Sequence, residues 1–183
     1  MVYISGGNEL LDPAAIFARL GIKTGSKVAD LGCGGAGHFV VPVAKLVGDH
    51  RIVYAVDILK SALKTAVSNA RLDGINNIRP VWSNLEIIGA TKIKSSSLDF
   101  ALLINILFQS RNRENIIHEA YRLLKKEGKL LVIDWNQNLS SFGPPPEDRV
   151  KPEEVKKFAK KAKFELIDAF EAGTYHYGLI FQK

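Results

Sequence analysis

At 183 residues, 46% hydrophobic and 24% charged, the chain has the composition of an ordinary globular domain and is long enough to bury a core without staples. No apolar run approaches the ~20 residues needed to span a bilayer, and the single cysteine, Cys33, excludes an internal disulfide framework and a cysteine-cluster zinc site. The net charge of +6 admits an anionic partner such as RNA, but the densest basic stretch, KPEEVKKFAKKAK, mixes in Glu153 and Glu154 at helical spacing and reads as a solvated helix face.

The opening residues, MVYISGGNELLDP, carry neither the basic region nor the long apolar stretch of a secretory leader, so a reducing, cytoplasmic setting is expected. Asp12 and Pro13 predict a helix over 13–20, the first as cap and the second in the first turn. Gly21 and Gly25 break the chain, and residues 27–31 read as a first buried strand. A glycine-rich loop over 32–37 leads into a helix over 38–47, whose first turn accommodates Pro42. A β-branched strand over 51–56, a helix over 59–72 stopped by Asp73-Gly74, and a strand over 78–82 follow. Residues 84–97 are irregular. The continuous apolar run over 98–104 is that of a strand buried on both faces.

Ile116, Ile117, Ala120, Leu123 and Leu124 recur at helical spacing and predict a helix over 111–124. A fifth strand over 129–135, a Pro-rich loop over 136–150 and a helix over 152–162 come next. Two strands over 164–170 and 177–181 lie close enough to form a hairpin. The alternation of strand and helix predicts an α/β domain with a doubly wound, mostly parallel sheet, its last strand antiparallel. All 183 residues form one domain on this reading, with 1–26 as a helical segment covering the site. Ligands of such sheets bind beyond the carboxyl ends of the strands. That selects the loops 32–38, 57–59, 83–86, 105–110, 134–148 and 172–176.

The strongest motif is ADLGCGGAGHF over 29–39. Gly32, Gly34 and Gly37 satisfy G-x-G-x-x-G between a strand and a helix, and Asp57 ends the second strand, where a carboxylate can accept hydrogen bonds from a ribose diol. A nicotinamide dinucleotide and S-adenosylmethionine (SAM) both satisfy this much. Asp30 separates them. It stands two residues before the first glycine, where it would repel a pyrophosphate. SAM brings no phosphate there but carries an ammonium and a sulfonium, which a carboxylate attracts.

DLGCGGAG resembles the first motif of the class I SAM-dependent methyltransferases, and AVD, ending at Asp57, resembles their acidic ribose loop. SNLE (83–86), SSSLDFALLINILF (95–108) and LLKKEGKLLVIDW (123–135) resemble their later motifs. The resemblance covers nearly the whole chain from residue 10. It implies a Rossmann-like seven-stranded sheet in the order 3-2-1-4-5-7-6 with a terminal antiparallel hairpin, and SAM as cofactor with S-adenosylhomocysteine (SAH) as product. It also implies that Asp30, Gly32, Cys33, Gly34 and Gly37 line the methionine side, that Asp57 holds the ribose, and that Ile58 packs on the adenine. Asn84 replaces the usual Asp at the adenine edge, with Leu85 following, and Asn105 lies near the transferred methyl. No metal site is expected.

Transfer from a sulfonium relies on alignment of nucleophile, methyl and sulfur, with a base needed only where the nucleophile holds a proton. His38, Asp134, Tyr175 and His176 are candidates on the correct edge, and Tyr175 or His176, at the expected hairpin turn, is expected to orient or deprotonate the acceptor. Asn105-Ile106-Leu107-Phe108 departs from the Asn/Asp-Pro-Pro-aromatic motif of amino-methylating nucleic-acid enzymes. No cysteine follows the fourth or fifth strand, so a covalent route to C5-methylpyrimidines has no support, and arsenite chemistry lacks its thiols. With little sequence outside the core fold, a small-molecule acceptor is the first reading. RNA or protein methylation, favoured by the positive charge, and a non-catalytic SAM-binding protein remain open, as does a homo-oligomer that supplies part of the site.

Overall fold

The computed structural model of the protein describes residues 7–137 and 143–183; parts of the expected covering segment (1–6) and of the Pro-rich loop (138–142) lie outside them. The order is α1 (Pro13–Leu20), β1 (Val28–Leu31), α2 (Val40–Val47), β2 (Val53–Asp57), α3 (Lys60–Leu72), β3 (Ile78–Trp82), β4 (Leu98–Ile104), α4 (Arg113–Leu123), β5 (Leu124–Trp135), α5 (Pro152–Lys161), β6 (Glu165–Glu171) and β7 (His176–Gln182). Short 3-10 turns occupy Gly7–Leu10 and Leu107–Gln109.

The seven strands lie in the order β3-β2-β1-β4-β5-β7-β6. β1 to β5 pair in parallel, while β7 runs antiparallel to both β5 and β6. This is the α/β, doubly wound methyltransferase architecture expected from the sequence. β1 and most of β4 are buried along their length, because helices cover both faces of the sheet. One apolar cluster joins α1, α2 and α3 to one face through residues such as Phe17, Val43, Leu63, Leu102 and Ile133. The other packs Ile117, Leu123, Val155 and Ala159 of α4 and α5 against Leu31, Leu103, Val132 and Leu179.

Two of the boundaries that differ from expectation have a local physical reason. α2 starts at Val40, because the His38 ring turns instead to the Leu11 carbonyl, with Nε2 at 3.1 Å. β5 begins at Leu124, since Leu124 pairs with Leu98 before a shift in register, and Glu127 takes φ +64° in the intervening bend. The irregular stretch after β3 is held by a salt-bridged pair on α4. Glu119 accepts from the Gly89 and Thr91 amides at 2.8 and 3.2 Å, while Arg122 donates to the Thr91 carbonyl at 3.0 Å.

Candidate active site

The carboxyl ends of β1 and β2 build one half of the site. Gly32 and Cys33 both donate backbone N–H to the Val56 carbonyl, at 2.7 and 3.0 Å, which turns the chain sharply out of β1. Gly32 has φ +88°, and a Cβ there would lie 2.2 Å from Cδ1 of Ile106. Both its conformation and its packing therefore demand glycine. Gly34 has φ +62° and open space where a side chain would be, so the turn presents bare backbone outward. Gly37 packs against Val41 at the start of α2. The Cys33 side chain points into the core, where burial pushes its thiol up and leaves it inert; only its backbone belongs to the loop.

Two carboxylates flank this turn. Asp57 Oδ2 accepts from Gly34 N at 3.0 Å and Oδ1 from Leu59 N at 2.8 Å. Each oxygen retains a lone pair for a ribose hydroxyl. Asp30 is buried, 3% exposed, and its carboxyl is pushed up to about 7. Burial is the main cause and the charge of Asp57 the second; the Val40 amide at the head of α2 opposes them, and no cation contributes. A ligand that brings positive charge to this loop relieves that cost, and one that brings phosphate raises it.

Beyond β2, Ile58 is 56% exposed and Trp82, at the end of β3, 60%. Trp82 Nε1 donates to the Ile58 carbonyl at 2.9 Å, which sets the two side by side. Asn84 is half-buried, with Oδ1 accepting from Glu86 N at 2.9 Å. Leu85, expected at the cofactor, turns its side chain into the core on the α4 side, so Ile58 and Trp82 are the apolar surfaces at this end. Glu86 ties this loop to the one after β4, accepting from Ser110 Oγ at 2.6 Å and Asn112 Nδ2 at 2.9 Å, which hold its carboxyl below the usual range.

The ends of β4, β5 and β7 form the other half. Asn105 has φ +56°, and its backbone N–H bonds the Ile133 carbonyl at 2.9 Å. Its Nδ2 donates to Asn8 Oδ1 at 2.8 Å, while its own Oδ1 is buried without a partner. The Asn8 bond and the His38 bond to Leu11 tie the N-terminal turn to loops that end β4 and β1. Asp134, considered as a base, instead holds the turn after β4: its carboxylate accepts from the Leu107, Phe108 and Trp135 amides at 3.1, 3.3 and 2.9 Å.

Tyr175 lies in the turn before β7, half-buried, and its carbonyl accepts from Asn136 N at 2.9 Å. His176 is not in that turn. It opens β7, pairs in register with Trp135, and is 1% exposed. Burial first, and the charge of Arg149 second, hold its imidazole down to about 4. An imidazole so acidic when protonated is a poor proton acceptor for a hydroxyl. Asn8, Trp135 and Arg149 carry no sequence signal, whereas Glu86 lies in SNLE. Among the described residues no three His, Cys, Asp or Glu converge as a metal site.

A family model described as a methyltransferase domain matches residues 22–165. The chain belongs to this family, the class I SAM-dependent methyltransferases, whose cofactor is SAM. A solved SAM-dependent methyltransferase from Aquifex aeolicus superposes with a TM-score of 0.86 at 26% identity, covering 95% of this chain and 90% of that one. The ubiquinone/menaquinone biosynthesis C-methyltransferase UbiE of Erwinia tasmaniensis is 30% identical over 161 residues, 86% of this chain and 59% of that protein. The chain spans roughly half the length of the curated relatives it matches, 59%, 52% and 45% for three UbiE proteins. The [4+2]-cyclase SpnF shares the fold, with a TM-score of 0.79 at 15% identity over 96% of this chain and 80% of that one. The fold by itself therefore does not fix the chemistry.

Proposed function

We propose that the chain transfers the methyl group of SAM to a small-molecule acceptor. The observation that carries this reading is the pair of carboxylates, Asp30 and Asp57, set against a glycine turn whose backbone faces open space. Bound there, SAM supplies an electrophilic methyl on a positively charged sulfur, and its transfer leaves SAH. The backbone of Gly32, Cys33, Gly34 and Gly37 lines the methionine portion, and Asp30 balances its positive charge. Asp57 accepts from the ribose hydroxyls. Ile58 packs on the adenine, with Asn84 at its polar edge and Leu85 supporting that loop from the core. The unpartnered Oδ1 of Asn105 faces the reacting groups. Tyr175 and His176 border the acceptor.

The relatives named for quinone biosynthesis support a small acceptor over a macromolecule. RNA methylation is the second reading, favoured by the net charge of +6, and a steep loss of RNA binding with salt would support it. A cytoplasmic setting and a homo-oligomer belong to the same proposal; no helix among the described residues is long and apolar enough to cross a membrane. Calorimetry with SAM, SAH and NAD tests the cofactor. SAM and SAH bind, NAD does not, and Asp57→Ala weakens both adenosyl ligands. Tighter binding of NAD than of SAM overturns the reading.

A further inference from the structure

Among the described residues, three of the four buried side-chain polar atoms without a hydrogen-bond partner are Oδ1 of Asn105 and the two ring nitrogens of His176. They flank the end of β5: Asn105 follows β4 on one side, and His176 opens β7 on the other. Buried polar atoms cost free energy unless something bonds them, and their concentration on the edge where this fold binds ligands marks a subsite. The His176 ring is held in place. It lies 4.3 Å from the Trp135 ring, centroid to centroid, tilted by 39°. The backbone at Gly143 presses on the same indole, where a Cβ would lie 2.5 Å from Trp135 Cε3.

The subsite also has a sign. Arg149 is buried, its Cζ 5.9 Å from the Trp135 centroid, with Nε and Nη1 donating to the carbonyls of Pro144 and Asn136 at 3.0 and 3.1 Å. Its charge disfavours protonation of His176. A neutral imidazole beside a guanidinium offers one N–H donor in a positive field. That suits a negatively charged oxygen and resists a cationic amine. The N-terminal turn packs over this edge: the Leu10 carbonyl stands 3.3 Å from the Cβ position of Gly173, and Asn8 holds Asn105.

Resting on the methyltransferase reading, we infer that His176 is the acceptor-binding residue: Trp135 fixes its ring, and one ring N–H donates to an anionic oxygen, carboxylate or ionised hydroxyl, of the methyl acceptor. The test uses SAH-saturated protein at pH 8. Benzoate and 4-nitrophenolate probe the two sources of anionic oxygen, with benzamide and 4-nitroanisole as neutral counterparts. Binding is followed by calorimetry and by the ring 15N resonances of His176. At least one anion binds tenfold or more tighter than its neutral counterpart and shifts those resonances, and which anion does so identifies the source. His176→Phe weakens that anion tenfold or more while SAH affinity and thermal stability hold; His176→Gln, which keeps a neutral N–H, recovers part of the loss. Equal binding of anion and neutral probe, an anion bound without a shift at His176, or no anion bound overturns the inference while the cofactor reading stands. Failure of SAH itself to bind overturns both, and is read separately before any probe is added.

Discussion

Two buried aspartates end neighbouring parts of the same sheet edge and do opposite things. Asp30 and Asp134 are the last residues but one of β1 and β5; burial pushes both carboxyls up to about 7. Asp134 spends its oxygens on three backbone amides, those of Leu107, Phe108 and Trp135. Asp30 has the Val40 amide in front of it and a second carboxylate, Asp57, nearby. Equal burial with unequal partners separates the two: three amides offset part of the cost of burying Asp134, while at Asp30 a single amide is set against the added charge of Asp57.

Breaking the comparison from the β5 side should give the largest effect. Asp134→Leu leaves buried N–H groups without an acceptor, and each such group costs about 1–3 kcal/mol. Chemical denaturation should show a loss on the order of 4 kcal/mol, with SAH affinity changed by much less. From the β1 side the effect should reverse. Asp30→Asn should weaken SAM roughly 100-fold, on the order of 3 kcal/mol, as read by calorimetry, while stability above pH 7 rises.

The sign of that rise follows from proton linkage. In the folded protein Asp30 holds its proton up to about pH 7, against an ordinary value of 3.8. Between those values the folded state binds more protons than the unfolded one, so this group erodes stability as pH rises through that window. Asp30→Asn removes the erosion, and a flatter pH profile of denaturation between pH 4 and 7 checks it. His176 works in the opposite sense, its folded value of about 4 lying below 6.5. Its contribution is present above pH 6.5 and is lost as pH falls towards 4, by about 3 kcal/mol at most; His176→Phe should abolish that loss. The smallest effect is expected for Asn8→Ala. It removes one hydrogen bond to Asn105 and should cost about 1 kcal/mol, visible as faster amide exchange in the N-terminal turn.

The same contrast explains what was legible in the sequence. The motifs of the β1 half were visible because they are local: the glycine turn and its acid occupy 29–39, the helix follows at once over Val40–Val47, and Asp57 is 20 residues on from Gly37. The alternation of helix and strand periods gave a mostly parallel sheet, and the strand order came from the resemblance to the methyltransferase family. The β5 half is assembled from distant residues. Asn8 meets Asn105 across 97 positions, and Trp135 meets His176 only because β5 and β7 pair antiparallel in that register. His176 was expected in a turn; β7 starts one residue earlier than expected, at His176 itself, and buries the ring. Leu85 and Cys33 were expected at the cofactor, but their side chains face the core, a direction that spacing alone does not give in a loop.

Proton release on SAM binding measures the state of Asp30 directly. Titration of SAM into the protein at pH 6.5, in two buffers of different ionisation enthalpy, gives the number of protons released. A cation arriving beside a half-protonated buried carboxylate should expel a substantial fraction of a proton, and Asp30→Asn should abolish the release along with most of the affinity. Binding with no proton released, and equally tight in Asp30→Asn, would contradict it.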